Sequence, residues 1–298
     1  MSVIKYKYLF LGFSVLLTIA AVAAMVGFGY KQGIDFAGGT LWQVKFSRSG
    51  VEISDLQNLL SENGAKDAVV RQTGTANEFS IRAKELIEEE HQNLVLQLSQ
   101  KFGSFEESSF ASIGPAIGSE LRNRAFLAFV LVLLGISLYV AFAFRKVSYP
   151  VSSWKYGFVT LITLFHDALI PAGAFAWWGW KYGAEVDTNF IVAVLVVMGF
   201  SVHDTIVVFD RIRENLLLSK NKDNLAEIID ASVRQTFARS VNTSLTLVLV
   251  LVALYLFGAH SLNYFTLMIL IGTTVGTYSS IFVASPLLTF FHKQKDPY

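Results

Sequence analysis

The chain contains no cysteine. Disulfides and thiolate metal sites are thereby excluded, although the absence does not fix a compartment. Charge is also scarce. Only 16% of the 298 residues are Asp, Glu, Lys or Arg, against about 25% in a typical soluble domain. The net charge of +1 argues for neither nucleic acid nor an acidic partner. No HExxH pair occurs. The Gly38-Gly39 pair lacks the Lys and the following helix that a phosphate-binding loop requires. The segment GIDFAGGT, residues 33–40, therefore reads as a tight turn or hinge.

What the chain has in excess is apolar sequence: 53% of its residues are hydrophobic, and the mean hydropathy is +0.49. Six apolar runs, at 8–28, 125–144, 157–178, 190–209, 241–257 and 265–291, have about the length that crosses a bilayer. The first allows two readings. Lys5, Lys7, an apolar stretch and Ala21-Val22-Ala23 resemble a cleaved signal peptide. The run continues well past the Ala-x-Ala, which favours a retained first span. Lys5, Lys7, Arg145, Lys146, Lys155, the basic residues of 211–239, Lys293 and Lys295 fall on one side when the termini lie together. Opposite them, the 180–189 loop holds only Lys181, and 258–263 holds no Lys or Arg. That bias puts both termini in the cytoplasm and the first loop outside, with Trp177, Trp178 and Trp180 at the outer interface. In the connection at 211–240, Leu225, Ile228, Ile229 and Val233 have helical spacing. It is expected to form an amphipathic helix on the lipid surface, its basic residues attracted to anionic lipid.

Residues 30–122 read as a separate domain with a mildly acidic, solvated surface. Strands are expected at 41–46, 68–72, 78–82 and 105–113, and amphipathic helices at 53–60 and 87–98. The order β-α-β-β-α-β is the ferredoxin-like split motif, which hosts many functions and names none. Glycine-bearing junctions flank it at 33–40 and at IGPAIGSE, residues 113–120. The expected fold class is a polytopic α-helical membrane protein. It has six transmembrane helices and a ferredoxin-like α+β extracytoplasmic domain between the first two. The divisions are 1–29, 30–122 and 123–298.

Polar residues inside the apolar runs are the candidate site. A carboxylate in a membrane helix costs about 2.5–3.5 kcal/mol at the bilayer centre and is by default a functional hypothesis. Asp204 lies seven residues before Arg211, roughly 10 Å inside the end of its span. Arg239 precedes the fifth run, and its stem can snorkel toward Asp204 if the fourth and fifth spans pack together. Its plainest reading is an interfacial anchor. His166-Asp167 lies inside the third span. His166 and His203 also read as core residues bonded to a neighbouring Ser or Thr. Each histidine adjoins an aspartate, but neighbours on a helix point about 100° apart, which disfavours chelation by both. A proton suits one Asp near one Arg better. An Asp that alternately meets Arg239, water and apolar surroundings would load and release it, with His203 as a second titrating group. The sixth run is polar at its centre, with Thr273, Thr274, Thr277, Tyr278, Ser279 and Ser280 able to line a wet path beside Asp204. Gly272 and Gly276 form a GxxxG face, so close packing explains part of that stretch.

The strings SVHDTIVVFDRIREN (201–215), RQTFARSVNTSLT (234–246) and GTTVGTYSSIFVASPLL (272–288) resemble the SecF family of the SecD/SecF protein-export subunits. GIDFAGGT and IGPAIGSEL (113–121) are similar to further signatures of that family, and the resemblance covers the whole chain. It implies a half-unit of resistance-nodulation-division architecture, paired with a SecD-like subunit and associated with the SecYEG channel. It further implies use of the proton-motive force to assist export of unfolded polypeptide across the bacterial inner membrane. Protons would be the coupling ion, without enzymatic activity, cofactor or nucleic acid. The resemblance puts the motif carboxylate on Asp204 and the motif arginine on Arg239, both implicated in proton passage in that family. The family usually carries Asn before the motif Asp, where this chain has His203. Asp167 and His203 complete the candidate proton pathway. Motion of the bundle would reach the outer domain, which holds emerging polypeptide, through the two glycine junctions. Two rivals stand: a proton-driven lipid or small-molecule exporter half-unit with an apolar tunnel through the outer domain, and a passive scaffold in which Asp204 and Arg239 form a structural pair.

Overall fold

The computed structural model describes residues 2–48, 50–73, 77–145, 151–219 and 224–291. Lys146, Lys293, Lys295 and the centre of the turn expected at 73–77 lie outside them. In chain order the elements are α1 (Lys7–Phe28), α2 (Ile34–Ala37), β1 (Gly39–Phe46), α3 (Ile53–Glu62), β2 (Val69–Gln72), β3 (Glu78–Ala83), α4 (Glu88–Phe102) and β4 (Phe105–Ile113). There follow α5 (Pro115–Ala143), α6 (Ser153–Tyr182), α7 (Thr188–Leu218), α8 (Leu225–Phe257) and α9 (Asn263–Ser279). The chain forms two compact units, Gln32–Phe126 on one hand and Met1–Lys31 with Leu127–Tyr298 on the other.

In the smaller unit the four strands form an antiparallel sheet of order β2-β3-β1-β4. The first strand is central because each of the two β-α-β units is split by a strand of the other. Alternation selects the buried face: Thr40, Trp42, Val44 and Phe46 from β1, and Phe79, Ile81 and Ala83 from β3. Leu56, Leu59 and Leu60 of α3 and Leu94, Leu98 and Phe102 of α4 cover it. The two expected glycine junctions pack on each other. Gly38 and Gly39 have φ of 75° and 111°. A Cβ on Gly39 would stand 2.7 Å from the Ala83 carbonyl oxygen, and one on Gly118 would stand 3.0 Å from the Gly38 nitrogen. Side chains at these positions would force the backbones apart.

In the larger unit, six helices among the described residues are long and apolar enough to cross a membrane. They are α1, α5, α6, α7, α8 and the helical stretch His260–Phe291 that contains α9. α6 and His260–Phe291 are mostly buried and α7 is intermediate in burial, whereas α1, α5 and α8 are largely exposed. Their outer faces carry side chains such as Leu16, Leu138 and Leu249. The GxxxG face of α9 lies on α7, Gly272 against Val197 and Gly276 against Ser201. On the other flank, a Cβ at Gly173 of α6 would stand 2.6 Å from the Ala21 Cα of α1. Gly173→Val is therefore expected to separate these two helices. With no native cysteine to interfere, a thiol-reactive bridge between Phe28→Cys and Trp180→Cys, whose native rings stack at 5.0 Å, reads this out. Bridging should fall about tenfold, a loss of about 1.4 kcal/mol in helix association.

The stretch at 211–240 is built from the end of α7 and the start of α8, which continues unbroken into the fifth span. No Gly or Pro interrupts residues 225–257, so no separate surface helix is cut off. Leu225, Ile228, Ile229 and Val233 bury their shared face against Val208, Phe209, Ile212 and Leu216 of α7 and against Val3. Asp230 pins the chain's start, accepting from the backbone nitrogens of Val3 at 2.8 Å and Ile4 at 3.1 Å.

Candidate functional site

The three central helices each bring polar side chains to one buried cluster. Asp167 of α6 is fully buried. Its Oδ2 accepts the hydroxyl of Ser279 at 2.6 Å and that of Ser201 from α7. Its Oδ1 lies 2.7 Å from His166 Nδ1. Four residues on, Pro171 has no N–H to offer the Asp167 carbonyl, so the helix is one bond short at this point. Asp204 of α7, 5% exposed, accepts the Ser280 hydroxyl. Ser201 and Asp204 are three residues apart and so share a face of α7. Two buried carboxylates from different helices are thus each held by one of two consecutive serines.

Those serines mark a change in helix type. α9 gives way to a π-helical turn at Ser280–Ala284. Two local features favour it. Ser285 donates its hydroxyl to the Ser280 carbonyl at 2.9 Å, and Pro286 has no N–H for the Phe282 carbonyl four residues back. Such turns are frequent at functional sites. Ser279 and Ser280 also each have an acceptor in their own helix, Gly276 O and Thr277 O, both at 3.0 Å. Thr277 in turn bonds Ser244 of α8 through their hydroxyls.

The expected site residues are only partly brought together. Asp204, Asp167 and His166 are buried in this cluster. Among the described residues, His166 Nε2 is buried without a hydrogen-bond partner. His203 is exposed, as expected from the rotation between adjacent helix positions. Arg239 is also exposed, and Asp204 meets Ser280, not Arg239. The antiparallel seam of α7 and α8, set by Arg211 to Gln235 at 2.5 Å and Asn215 to Ser232 at 2.8 Å, puts Arg239 about one turn from the level of Asp204. Sequence reasoning placed Ser279 and Ser280 beside Asp204 but missed that Ser279 and Ser201 serve Asp167. The Pro171 and Pro286 spacings are the signal that marked both helix irregularities.

Residues 94–294 match the family described as "Protein export membrane protein SecD/SecF, C-terminal". The chain belongs to the SecD/SecF family. Protein translocase subunit SecF of Thermobaculum terrenum is 43% identical over 298 residues, covering 96% of this chain and 92% of that protein. The SecF subunit of a Synechocystis strain is 36% identical over 295 residues, covering 95% and 90%. The crystal structure of SecDF, a translocon-associated membrane protein from Thermus, superposes with a TM-score of 0.81 at 33% identity. It covers 97% of this chain, but this chain spans only 38% of that longer one. As a SecF-type member of the SecD/SecF family, the chain is a multi-pass membrane protein of protein translocation and not an enzyme. In SecD/SecF terms, the cluster of Asp167, Ser201, Asp204, Ser279 and Ser280 lies wholly within the family match.

Proposed function

We propose that this chain couples proton movement to the export of unfolded polypeptide across a bacterial inner membrane, working with a SecD-like subunit beside the SecYEG channel. One observation carries the reading. Two carboxylates lie buried between membrane-spanning helices, and each is held by a hydroxyl that can donate to it or accept from it. Such groups are expensive in a bilayer, and ion pathways and proton relays are among the roles that retain them. Asp204 is the proton carrier, Asp167 a second titrating group, and Arg239 a modulator that reaches the path when the bundle moves. His203, exposed on α7, is the proposed assisting group of the same pathway. A longer solved relative bearing the SecDF name, of which this chain spans 38%, supports a SecD-like partner. The Lys and Arg bias supports cytoplasmic termini and a periplasmic 30–122. In that orientation the smaller unit meets polypeptide as it emerges and limits its return.

Two measurements test the reading. Affinity purification from membranes should bring a SecD-like subunit with the chain; recovery of the chain alone from mild detergent would remove the partner from the account. Arg239→Gln should lower gradient-driven export about tenfold, equal to about 1.4 kcal/mol at the limiting step, while Arg239→Lys keeps most of it. An Arg239 that only anchors the interface predicts unchanged export in both.

A further inference from the structure

We propose that Asp167 and Asp204 titrate as one coupled pair, with the adjacent hydroxyls of Ser279 and Ser280 at the π-helical turn as the joint between them. The proposal rests on the reading above and adds how the two carboxyls communicate. A serine hydroxyl has one hydrogen and two lone pairs. With Asp204 ionised, Ser280 donates to it. With Asp204 protonated, the carboxyl O–H donates to Ser280 Oγ, and the serine hydrogen turns to the Thr277 carbonyl, 3.0 Å away. Ser279 has the same pair of choices, Asp167 at 2.6 Å and the Gly276 carbonyl at 3.0 Å. Neither carboxyl therefore loses its hydrogen bond when its charge changes. What changes is the set of carbonyls used at the end of α9.

That end is where the helix is least committed. The Ser280 carbonyl already takes the Ser285 hydroxyl at 2.9 Å. Conversion of a π turn to α geometry shifts the register by one residue, a rotation of about 100°. Because Ser279 and Ser280 are consecutive, such a rotation cannot leave both on their carboxylates. In the proposed coupling, protonation of one Asp shifts this turn and so alters the position of the hydroxyl held by the other. The remaining titratable groups are differently disposed. His166 on α6 is bonded to Asp167 itself. Tyr278 on α9 faces away to α1, where it bonds the Phe10 carbonyl at 3.0 Å. His203 on α7 and Arg239 on α8 are exposed, as is Tyr139 on α5. α1 carries no carboxylate or histidine.

The test uses the full chain co-purified with its partner subunit and reads the pH profile of gradient-driven export. Ser279 touches Asp167 and not Asp204, so a purely local role predicts no change in the Asp204 titration. Ser279→Ala is expected to move the pH midpoint by about half a unit or more, a roughly threefold change in proton affinity. In an Asp167→Asn background the same substitution should add nothing. Infrared difference spectra of the protonated carboxyl band, taken on the purified complex, keep the test independent of transport. The Asp204 band should move in Asp167→Asn. An unmoved midpoint and an unmoved band overturn the coupling, while loss of export in Asp204→Asn would still uphold the function proposed above. If Asp204→Asn exports normally, the function falls, whatever the bands show.

Discussion

Asp204→Asn is expected to reduce gradient-driven export at least tenfold while the protein still inserts and folds. Asn keeps the volume and accepts from Ser280, so the hydrogen bond at this point survives. What it cannot do is take up a proton and change charge. One proton crossing about 100 mV supplies about 2.3 kcal/mol, which biases forward over backward steps about fiftyfold. Losing that bias leaves export without the gradient's contribution. The measurement is protease protection of a preprotein in inverted membrane vesicles, with and without a proton gradient. Wild type should gain strongly from the gradient and the variant should not. A passive scaffold predicts the same gradient response in both.

The second large effect concerns stability. Trp42 is fully buried in the smaller unit, with His91 at 4.9 Å between ring centroids and its Nε1 donating to Glu107 at 2.9 Å. Its ring also meets Phe105 and Phe110 edge-on, each at 6.2 Å. Trp42→Ala should cost about 3–5 kcal/mol, from lost burial and the cavity left behind. It also strips the indole donor from a Glu107 that His91 shares at 2.9 Å. A domain of this size has only about 5–15 kcal/mol in total, so the midpoint of its unfolding should fall by more than about 10 °C. Limited proteolysis of the full chain in detergent across temperature measures this. Trp154→Ala, at a largely exposed position, should leave the proteolysis midpoint unchanged.

The residues differ in how openly they announce their roles. The sheet was readable because residues 40–46 alternate strictly between a buried and an outer face. β1 begins earlier than its apolar pattern because Gly39, which has no side chain to show periodicity, still pairs with Ile113. The membrane helices were readable from hydropathy, but α5 starts at Pro115, ten residues before its apolar run. Hydropathy senses the part of a helix that meets lipid and is blind to polar turns that extend it. Asp204 and Asp167 stood out because charge in an apolar run is costly. The partners of Asp167 did not. Serines in such helices bond their own carbonyls, as Ser244 does to Ser240 at 2.8 Å, and spacing does not tell which of them also reach a neighbouring helix. Arg239 illustrates the same limit. Its distance along the chain gives its level but not its rotation. Ser240 and Ser244 take the buried face of α8, and Arg239, about 100° from Ser240, is left outside.

The most direct test of proton coupling at Asp204 is to follow both quantities in one preparation. The chain, its SecD-like partner and the channel are reconstituted in vesicles that hold a pH-sensitive dye, and a preprotein is trapped part-way across. The account predicts that an imposed proton gradient drives polypeptide movement together with proton flux, and that Asp204→Asn abolishes both. Polypeptide movement that continues at the wild-type rate in Asp204→Asn, with the proton flux gone, would contradict it.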